Sequence, residues 1–308
     1  MNKVKVFAPA TVANIACGFD VLGLALDFPG DEVIVTKTNS NEVIITACHN
    51  ADNLPLAADE NVAGVAVKAL LKKLDSTQGF EIELTKGVKP GSGIGSSAAS
   101  SSAAVVAVNY LLGEPFTRKE LVEFAMQGEK CATGVAHADN VAPSICGGFT
   151  LIRSYEPLDV IKIDSPEQLW ATVIHPQIEV KTRDARRVLK GGIDLKKAIT
   201  QWGNVGGLIA GLYSKDYDLI GRSLVDVVIE PIRSILIPGY ASVKKASMAA
   251  GALGCSISGS GPSIFALSKG KEQALKVKEA MGEIYNEYGV DYDIHVSQVN
   301  SEGARIIK

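Results

Sequence analysis

The sequence predicts an α+β protein in two domains. Short alternating segments are mixed with longer amphipathic ones, without the strict β-α-β rhythm of a parallel sheet. The 308 residues exceed one ordinary domain and suit one large or two medium ones. A stretch at 155–168, holding Pro157 and Pro166, is the best linker candidate and divides the chain into 1–160 and 161–308.

The first half opens with strands at 3–8, 32–37, 42–47 and Gly79–Thr85, the last with Phe80, Ile82 and Leu84 on one face. Residues 59–74 read as a helix with Val62, Val65, Ala66, Ala69 and Leu70 as its stripe. A helix at 97–112 follows a glycine-rich stretch and stops at Gly113 and Pro115. The next begins with a capping box, Thr117 as N-cap and Glu120 three residues on. Residues 149–153 form a strand after two glycines. In the second half a strand at 170–175 precedes helices near 194–213, 219–227 and 241–253. A Gly/Ser turn, a strand at 263–267, a helix at 271–287 and a strand at 292–299 close the pattern, an antiparallel helix-on-sheet arrangement.

Composition narrows the function. With 46% hydrophobic and 21% charged residues the chain can bury a large core, and a net charge of −3 without a basic block argues against nucleic acid. The N-terminus reads as a strand rather than a signal peptide, and no apolar run reaches ~18 residues, so no membrane span is expected. Five cysteines without a CxxC pair fit thiols in a reducing cytoplasm, and four histidines without ligand spacing argue against zinc. Oligomeric state stays open between monomer and homodimer.

Pro90, Gly91, Ser92, Gly93, Ile94, Gly95, Ser96 and Ser97 run between a strand and a helix. Glycines let successive backbone N–H groups approach an anion, and the helix behind them adds its positive end. Ser96 and Ser97 can donate to phosphate or ligate Mg2+. No GK[ST] ends the loop, so it is not a Walker A loop, and Ser96 breaks the dinucleotide fingerprint. By itself such a loop is as often a tight turn.

Further polar islands interrupt apolar surroundings. Glu129 follows Leu121, Phe124 and Ala125 at the edge of their stripe. A buried carboxylate there needs a cation, although spacing alone leaves equal room for a surface glutamate. His137, Asp139 and Asn140 cluster in a segment that a simple Asx-turn loop also explains. Asn14 and Asp20 stand in the apolar run 9–26. Thr182 and Arg186 lie four apart, Arg233 precedes Ile237-Pro238-Gly239, and two such arginines can clamp a carboxylate. A second glycine loop, 258–262, is expected to face the first.

These islands, in this order, resemble the GHMP kinases over the whole chain. The family's N-terminal substrate motif is similar to 9–26. Its phosphate loop, P-x-x-x-G-L-G-S-S-A, is similar to the stretch ending at Ala98, with Ile94 for the usual Leu. Its C-terminal S-G-S-G-P is similar to 258–262. The run Pro9-Ala10-Thr11-Val12-Ala13-Asn14 with Gly18-Phe19-Asp20 resembles the branch acting on homoserine, as do His137 to Pro143 and Arg233 ahead of Ile237. Two departures lie on the substrate side: Ala16-Cys17 where Gly-Pro is usual, and Ala138 where Pro is usual.

The resemblance implies a GHMP kinase fold, an N-terminal domain like the second domain of ribosomal protein S5 followed by a ferredoxin-like domain, with ATP in the cleft between them. It implies transfer of phosphate from ATP to L-homoserine, a step toward threonine. On it, the loop 90–97 would cradle the triphosphate, Ser97 and Glu129 would hold Mg2+, and Asn61 would lie near the adenine. Asn14, Asp20, His137, Thr182, Arg186 and Arg233 would bind homoserine. Asn140 would sit by the reacting hydroxyl and orient it, with no strong base. A mevalonate-type kinase would lack the arginine pair, and a silent regulator would have lost Ser97, Glu129 or Asn140.

Overall fold

The computed structural model describes residues 2–51, 53–178, 180, 182–189 and 191–307, without the side chains of 182–184. β1 (Lys3–Ala13) and β2 (Leu22–Thr38) form a long antiparallel pair. β3 (Val43–His49) and β4 (Gly79–Thr85) extend the sheet, β4 antiparallel to β2 and parallel to β3. α1 (Val62–Lys73) and α2 (Ser96–Leu111) pack against this sheet, and α3 (Arg118–Thr133) packs on both helices. The expected capping box at Thr117 and Glu120 starts α3. α2 is buried almost all round, from Ala98 to Asn109, because alanines and serines let neighbours approach from every side. The short α4 (Val141–Cys146) and the hairpin β5 (Phe149–Tyr155) and β6 (Leu158–Ile163) complete the first half.

The hairpin corrects the linker expected at 155–168. Val160 and Ile163 are buried while Asp159 and Lys162 stay partly in water, so the segment meets the core as a strand, with Pro157 in the turn.

β7 (Leu169–Pro176) opens the second sheet. α5 (Thr182–Arg187), α6 (Leu195–Ser214), α7 (Tyr217–Ser223) and α8 (Glu230–Arg233) follow, with a 3-10 turn at Ser234–Leu236. α9 (Tyr240–Ala249), β8 (Gly254–Ile257), β9 (Ile264–Lys269), α10 (Lys271–Tyr288) and β10 (Tyr292–Gln298) finish that half. Its strands stand in the order β10-β7-β9-β8, all antiparallel, with α9 and α10 on one face. That is a β-α-β-β-α-β unit of ferredoxin-like type, with other helices inserted after β7. Alternation explains its two-sided burial: Ile264 and Ala266 face α10, while Phe265 and Leu267 join Val173, Leu24 and Phe149 in the core between the halves.

Two segments lie across the expected division at 160/161. β6 runs through it within the first sheet, and β11 (Arg305–Ile307) leaves the second half to pair with β1. Among the described residues no helix is long and apolar enough to cross a membrane.

Candidate active site

A cavity of about 660 Å³ lies between the halves. The turn from β4 to α2 forms one wall. Gly91, Gly93 and Gly95 all hold positive φ, near 77°, 79° and 71°. Such backbone turns N–H groups inward as a nest, at the open end of a 16-residue helix. A side chain at Gly95 would sit 2.1 Å from Thr11 Oγ1, and one at Gly93 would sit 2.6 Å from the Gly261 carbonyl. The two glycine loops face each other as expected. Ser258 Oγ donates to Gly93 O at 2.7 Å, and Ser263 Oγ donates to Ser92 O at 2.5 Å. Pro90, Gly91, Gly93, Gly95, Ser96 and Ser97 line the cavity. The side chains of Ser92 and Ile94 turn inward and are buried, so these two residues offer the cavity only backbone, and Ile94 O accepts from Thr11 N at 3.1 Å.

A buried ion pair, missed in the sequence, fastens this loop. Lys86 Nζ donates to Asp31 Oδ2, to Ser96 O at 2.8 Å and to Ser100 Oγ at 2.8 Å. Asp31 Oδ1 accepts from the N–H groups of Gly87 and Val88, each at 3.0 Å. Both side chains are buried, and both partners are hydrogen-bonded, as a buried charge pair must be. Burial pulls the Lys86 ammonium below its usual range, and Asp31 opposes that.

Glu129, from α3, reaches the amino end of α2. It is 5% exposed, and its Oε1 has no hydrogen-bond partner. Burial raises its carboxyl, against smaller opposite effects of a hydrogen bond from Ser97 and the charge of Lys86. Asn61 lines the cavity beside Leu54, Pro55 and Val62. Its amide caps α1, accepting from Ala63 N at 3.0 Å and donating to Pro55 O at 2.8 Å.

The other end is charged. Arg186 Nη2 donates to both carboxylate oxygens of Asp20, at 2.8 and 2.9 Å. Arg233 is 3% exposed, donates from Nε to Ala185 O at 2.9 Å and from Nη1 to Gly259 O at 3.2 Å, and stacks 4.9 Å from the Phe19 ring. Burial and the neighbouring Arg186 push it down to about 10, so it stays a cation at neutral pH. Asn14 holds Gly259 O through Nδ2 at 2.8 Å and accepts from Asp20 N at 3.0 Å. His137 Nδ1 lies 3.4 Å from Arg186 Nη2, and burial lowers its imidazole below its usual value. Thr182 starts α5, but its side chain lies outside the described residues.

Asn140 sits between the two ends. Its Oδ1 accepts from Thr11 Oγ1 at 2.8 Å, which turns its amide NH2 to other partners. Asp139, 4% exposed and with an unpartnered Oδ1, is pushed up to about 7, first by burial and then by Asp20 and Glu129. Apart from Ser92, Ile94 and the undescribed Thr182, every expected site residue lines this one cavity.

Two supports behind the charged end were also missed. Tyr155 OH donates to Asp20 O at 2.9 Å and accepts from Ala138 N at 3.4 Å, an N–H that proline would not offer. Gln201, on α6, donates from Nε2 to Cys17 O and to Asp226 Oδ1, both at 2.9 Å, and accepts from Val227 N at 3.0 Å. Asp226 in turn accepts from the N–H groups of Val228, Ile229 and Glu230 and so holds α8, which carries Arg233. Asn14, Ile15 and Ala16 all have positive φ, and the carbonyl of Cys17 follows that strained run. No local sequence signal marks Gln201 or Tyr155, because their partners are far away in the chain.

The GHMP kinases N terminal domain family matches residues 61–148, and the GHMP kinases C terminal family matches residues 208–287. The homoserine kinase of Chlorobium phaeobacteroides is 51% identical, with both chains covered completely. That of Methanococcus maripaludis is 42% identical over 93% of this chain and 94% of its own. The crystal structure of homoserine kinase from Cytophaga hutchinsonii superposes with a TM-score of 0.96 at 54% identity, over 100% of this chain and 98% of that one. The mevalonate kinase of L. major, in complex with R-mevalonate, shares the fold at a TM-score of 0.71 and 16% identity, over 96% of each chain.

Proposed function

The chain belongs to the GHMP kinase family, and on that premise we propose that it phosphorylates L-homoserine with ATP. The products are O-phospho-L-homoserine and ADP, on the route toward threonine. One observation carries the substrate: Asp20 and Arg186 touch at 2.8 Å at the end of a cavity whose other wall is the glycine loop. Opposite charges side by side match the adjacent ammonium and carboxylate of an α-amino acid. Arg233 adds a second cation for the carboxylate, and Asn14, His137 and Thr182 complete this end. An acceptor without an amino group would gain nothing from Asp20, whose carboxylate would keep Arg186 alone as its partner.

The backbone of 90–97 and the amino end of α2 receive the phosphates, and Lys86 and Asp31 keep that loop in place. The apolar surroundings of Asn61, formed by Leu54, Pro55 and Val62, suit the adenine. Ser97 and Glu129 fit Mg2+: the Glu129 Oε1 is buried, lacks a protein partner and lies in the cavity wall. When bound, the ion would neutralise charge on the phosphates.

Phosphoryl transfer of this type asks mainly for alignment and charge neutralisation. Asn140, braced by Thr11, orients the hydroxyl toward the phosphate loop without taking its proton. A second reading rests on Asp139. Its carboxyl, pushed up to about 7 beside Asn140, has the proton affinity of a base working near neutral pH. Ser97, Glu129 and Asn140 around one cavity favour turnover over a silent regulator. The five free cysteines fit a reducing cytosol.

The test is ADP release with L-homoserine, mevalonate, galactose and phosphomevalonate as acceptors. L-homoserine should dominate kcat/KM. Faster turnover of an acceptor without the amino group would overturn the assignment.

A further inference from the structure

α8 is too short to hold itself in place. It has four residues, Glu230–Arg233, and a helix of that length makes too few backbone bonds to offset its own ordering. Yet its last residue, Arg233, is 3% exposed and borders the charged end of the cavity. Groups outside the helix must therefore fix where the guanidinium enters. Asp226 does so at one end, taking the N–H groups of Val228, Ile229 and Glu230.

The Glu230 side chain is the second anchor. It does not line the cavity. Its Oε1 accepts from Lys244 Nζ on α9, and its Oε2 accepts from Ser256 Oγ on β8 at 2.7 Å. The side chain is 11% exposed and Ser256 is buried, so the joint lies largely out of water. The bond to Ser256 has a further consequence. β8 ends at Ile257 and leads into the second glycine loop, where Gly259 O accepts from Arg233 Nη1 at 3.2 Å. Glu230 thus joins the helix that carries Arg233 to the strand that delivers one of its acceptors. With Nε and Nη1 committed to Ala185 O and Gly259 O, the rest of the guanidinium fork is left to a ligand. Stability alone explains the ion pair poorly. The Lys244 side chain is 30% exposed, and a pair so open to water adds little to folding.

We propose that Glu230 is a positioning residue for the carboxylate of the substrate: held by Lys244 and Ser256, it sets the angle and depth at which Arg233 enters the cavity. This rests on the reading of Arg233 as a carboxylate-binding group. Glu230 acts only through Arg233. Its loss should weaken acceptor binding and leave the nucleotide end, walled by the first glycine loop, unchanged. Misplacing a positioned group by ~1 Å can cost ~100-fold, and a neutral amide that keeps the Ser256 bond should cost less, roughly 10-fold.

The test is steady-state ADP release by Glu230→Gln, Lys244→Met and Arg233→Met, and by Glu230→Gln combined with Arg233→Met. The acceptor is the one that the wild type turns over fastest. If that is not L-homoserine, the substrate assignment fails, while the role of Glu230 is still decided by the KM of the acceptor in use. Glu230→Gln should raise the acceptor KM roughly 10-fold, with kcat and the KM for ATP within ~3-fold of wild type. Lys244→Met should act in the same direction. On top of Arg233→Met, Glu230→Gln should add less than ~2-fold, because the group it positions is gone. An acceptor KM that ignores Arg233→Met removes the reading on which the proposal rests. One that moves with Arg233→Met but ignores Glu230→Gln overturns the proposal by itself. So does equal movement of both KM values, or a full ~10-fold effect added to that of Arg233→Met. Should Glu230→Gln not fold, Lys244→Met, at a site open to water, decides by the same outcomes.

Discussion

Replacing Glu129 by glutamine separates what the side chain does for the fold from what it does for the reaction. The carboxylate is 5% exposed, and one of its oxygens has no partner. Burial therefore holds its proton more tightly in the folded chain than in the unfolded one. For a carboxyl raised in this way, the associated stability is complete below the unfolded value, ~4.3, and is lost as pH rises through the folded value. At about pH 8 the unfolded chain has released this proton while burial opposes its release in the folded one, so the wild type without nucleotide bears a cost of order 1–3 kcal/mol. Glutamine removes the titrating group and keeps the shape. Glu129→Gln should therefore melt ~2–6 °C higher than wild type at that pH, with the gap closing toward about pH 4. Catalysis should move the other way. Losing a charge-assisted contact of ~1.5–3 kcal/mol in the transition state lowers kcat roughly 10- to 150-fold. Stabilisation of the protein by Mg2+ with a non-hydrolysable ATP analogue should fall in parallel. The assays are calorimetric melts at both pH values and steady-state ADP release. A kcat within ~3-fold of wild type at saturating Mg2+ would refute the metal role, the change being under 1 kcal/mol. A lower melting temperature independent of pH would refute the account of burial.

Arg233→Met should raise KM for homoserine at least ~10-fold with KM for ATP nearly constant, and Arg233→Lys should recover only part, because a point charge cannot reproduce the guanidinium fork. Insensitivity of the homoserine KM to both changes would remove Arg233 from the carboxylate site. Gly95→Val would drive its Cβ to 2.1 Å from Thr11 Oγ1 at a φ of +71°, so calorimetry should find ATP binding abolished; unchanged affinity would make the loop a structural turn. Asp139→Asn should keep kcat within ~10-fold and remove the loss of stability that wild type suffers as pH rises through about 7, measured by melts across pH. A collapse of kcat together with loss of an acidic limb near that pH would instead make Asp139 the base. Gln201→Leu breaks three hydrogen bonds that tie α6 to Cys17 and to the Asp226 loop. It should raise the homoserine KM several-fold, on the scale of ~1 kcal/mol per bond, while leaving that for ATP unchanged. Equal movement of both constants would mark it as a general support of the fold.

The features legible along the chain are those whose cause is local. Gly91, Gly93 and Gly95 announce a loop because only backbone without a Cβ adopts their φ freely. Thr117 and Glu120 announce a helix start because their reciprocal bonds span three residues. Phe80, Ile82 and Leu84 announce a strand because side chains alternate across it. The order of the polar motifs was enough to single out most of the expected residues that line the one cavity.

What sequence reading could not reach depends on partners brought together from far apart. Asp31 and Lys86 look like surface charges until the pairing of β2 with β4 sets Glu32 opposite Thr85 and puts the two side by side under the phosphate loop. Asp20 and Arg186, each expected to contact the substrate, are partners of each other across 166 residues. Tyr155 and Gln201 gain their roles only from carbonyls that the fold delivers to them. The strand Leu158–Ile163 reads as a linker because its six residues become a strand only when β5 lies beside them. By itself, then, the sequence determined the elements, the glycine loops and the kind of chemistry, since backbone conformation and short-range capping are settled within a few residues. Only the tertiary structure decided which charges neutralise each other and which supports stand behind the site, because Coulombic energies depend on distance and burial in space rather than on separation along the chain.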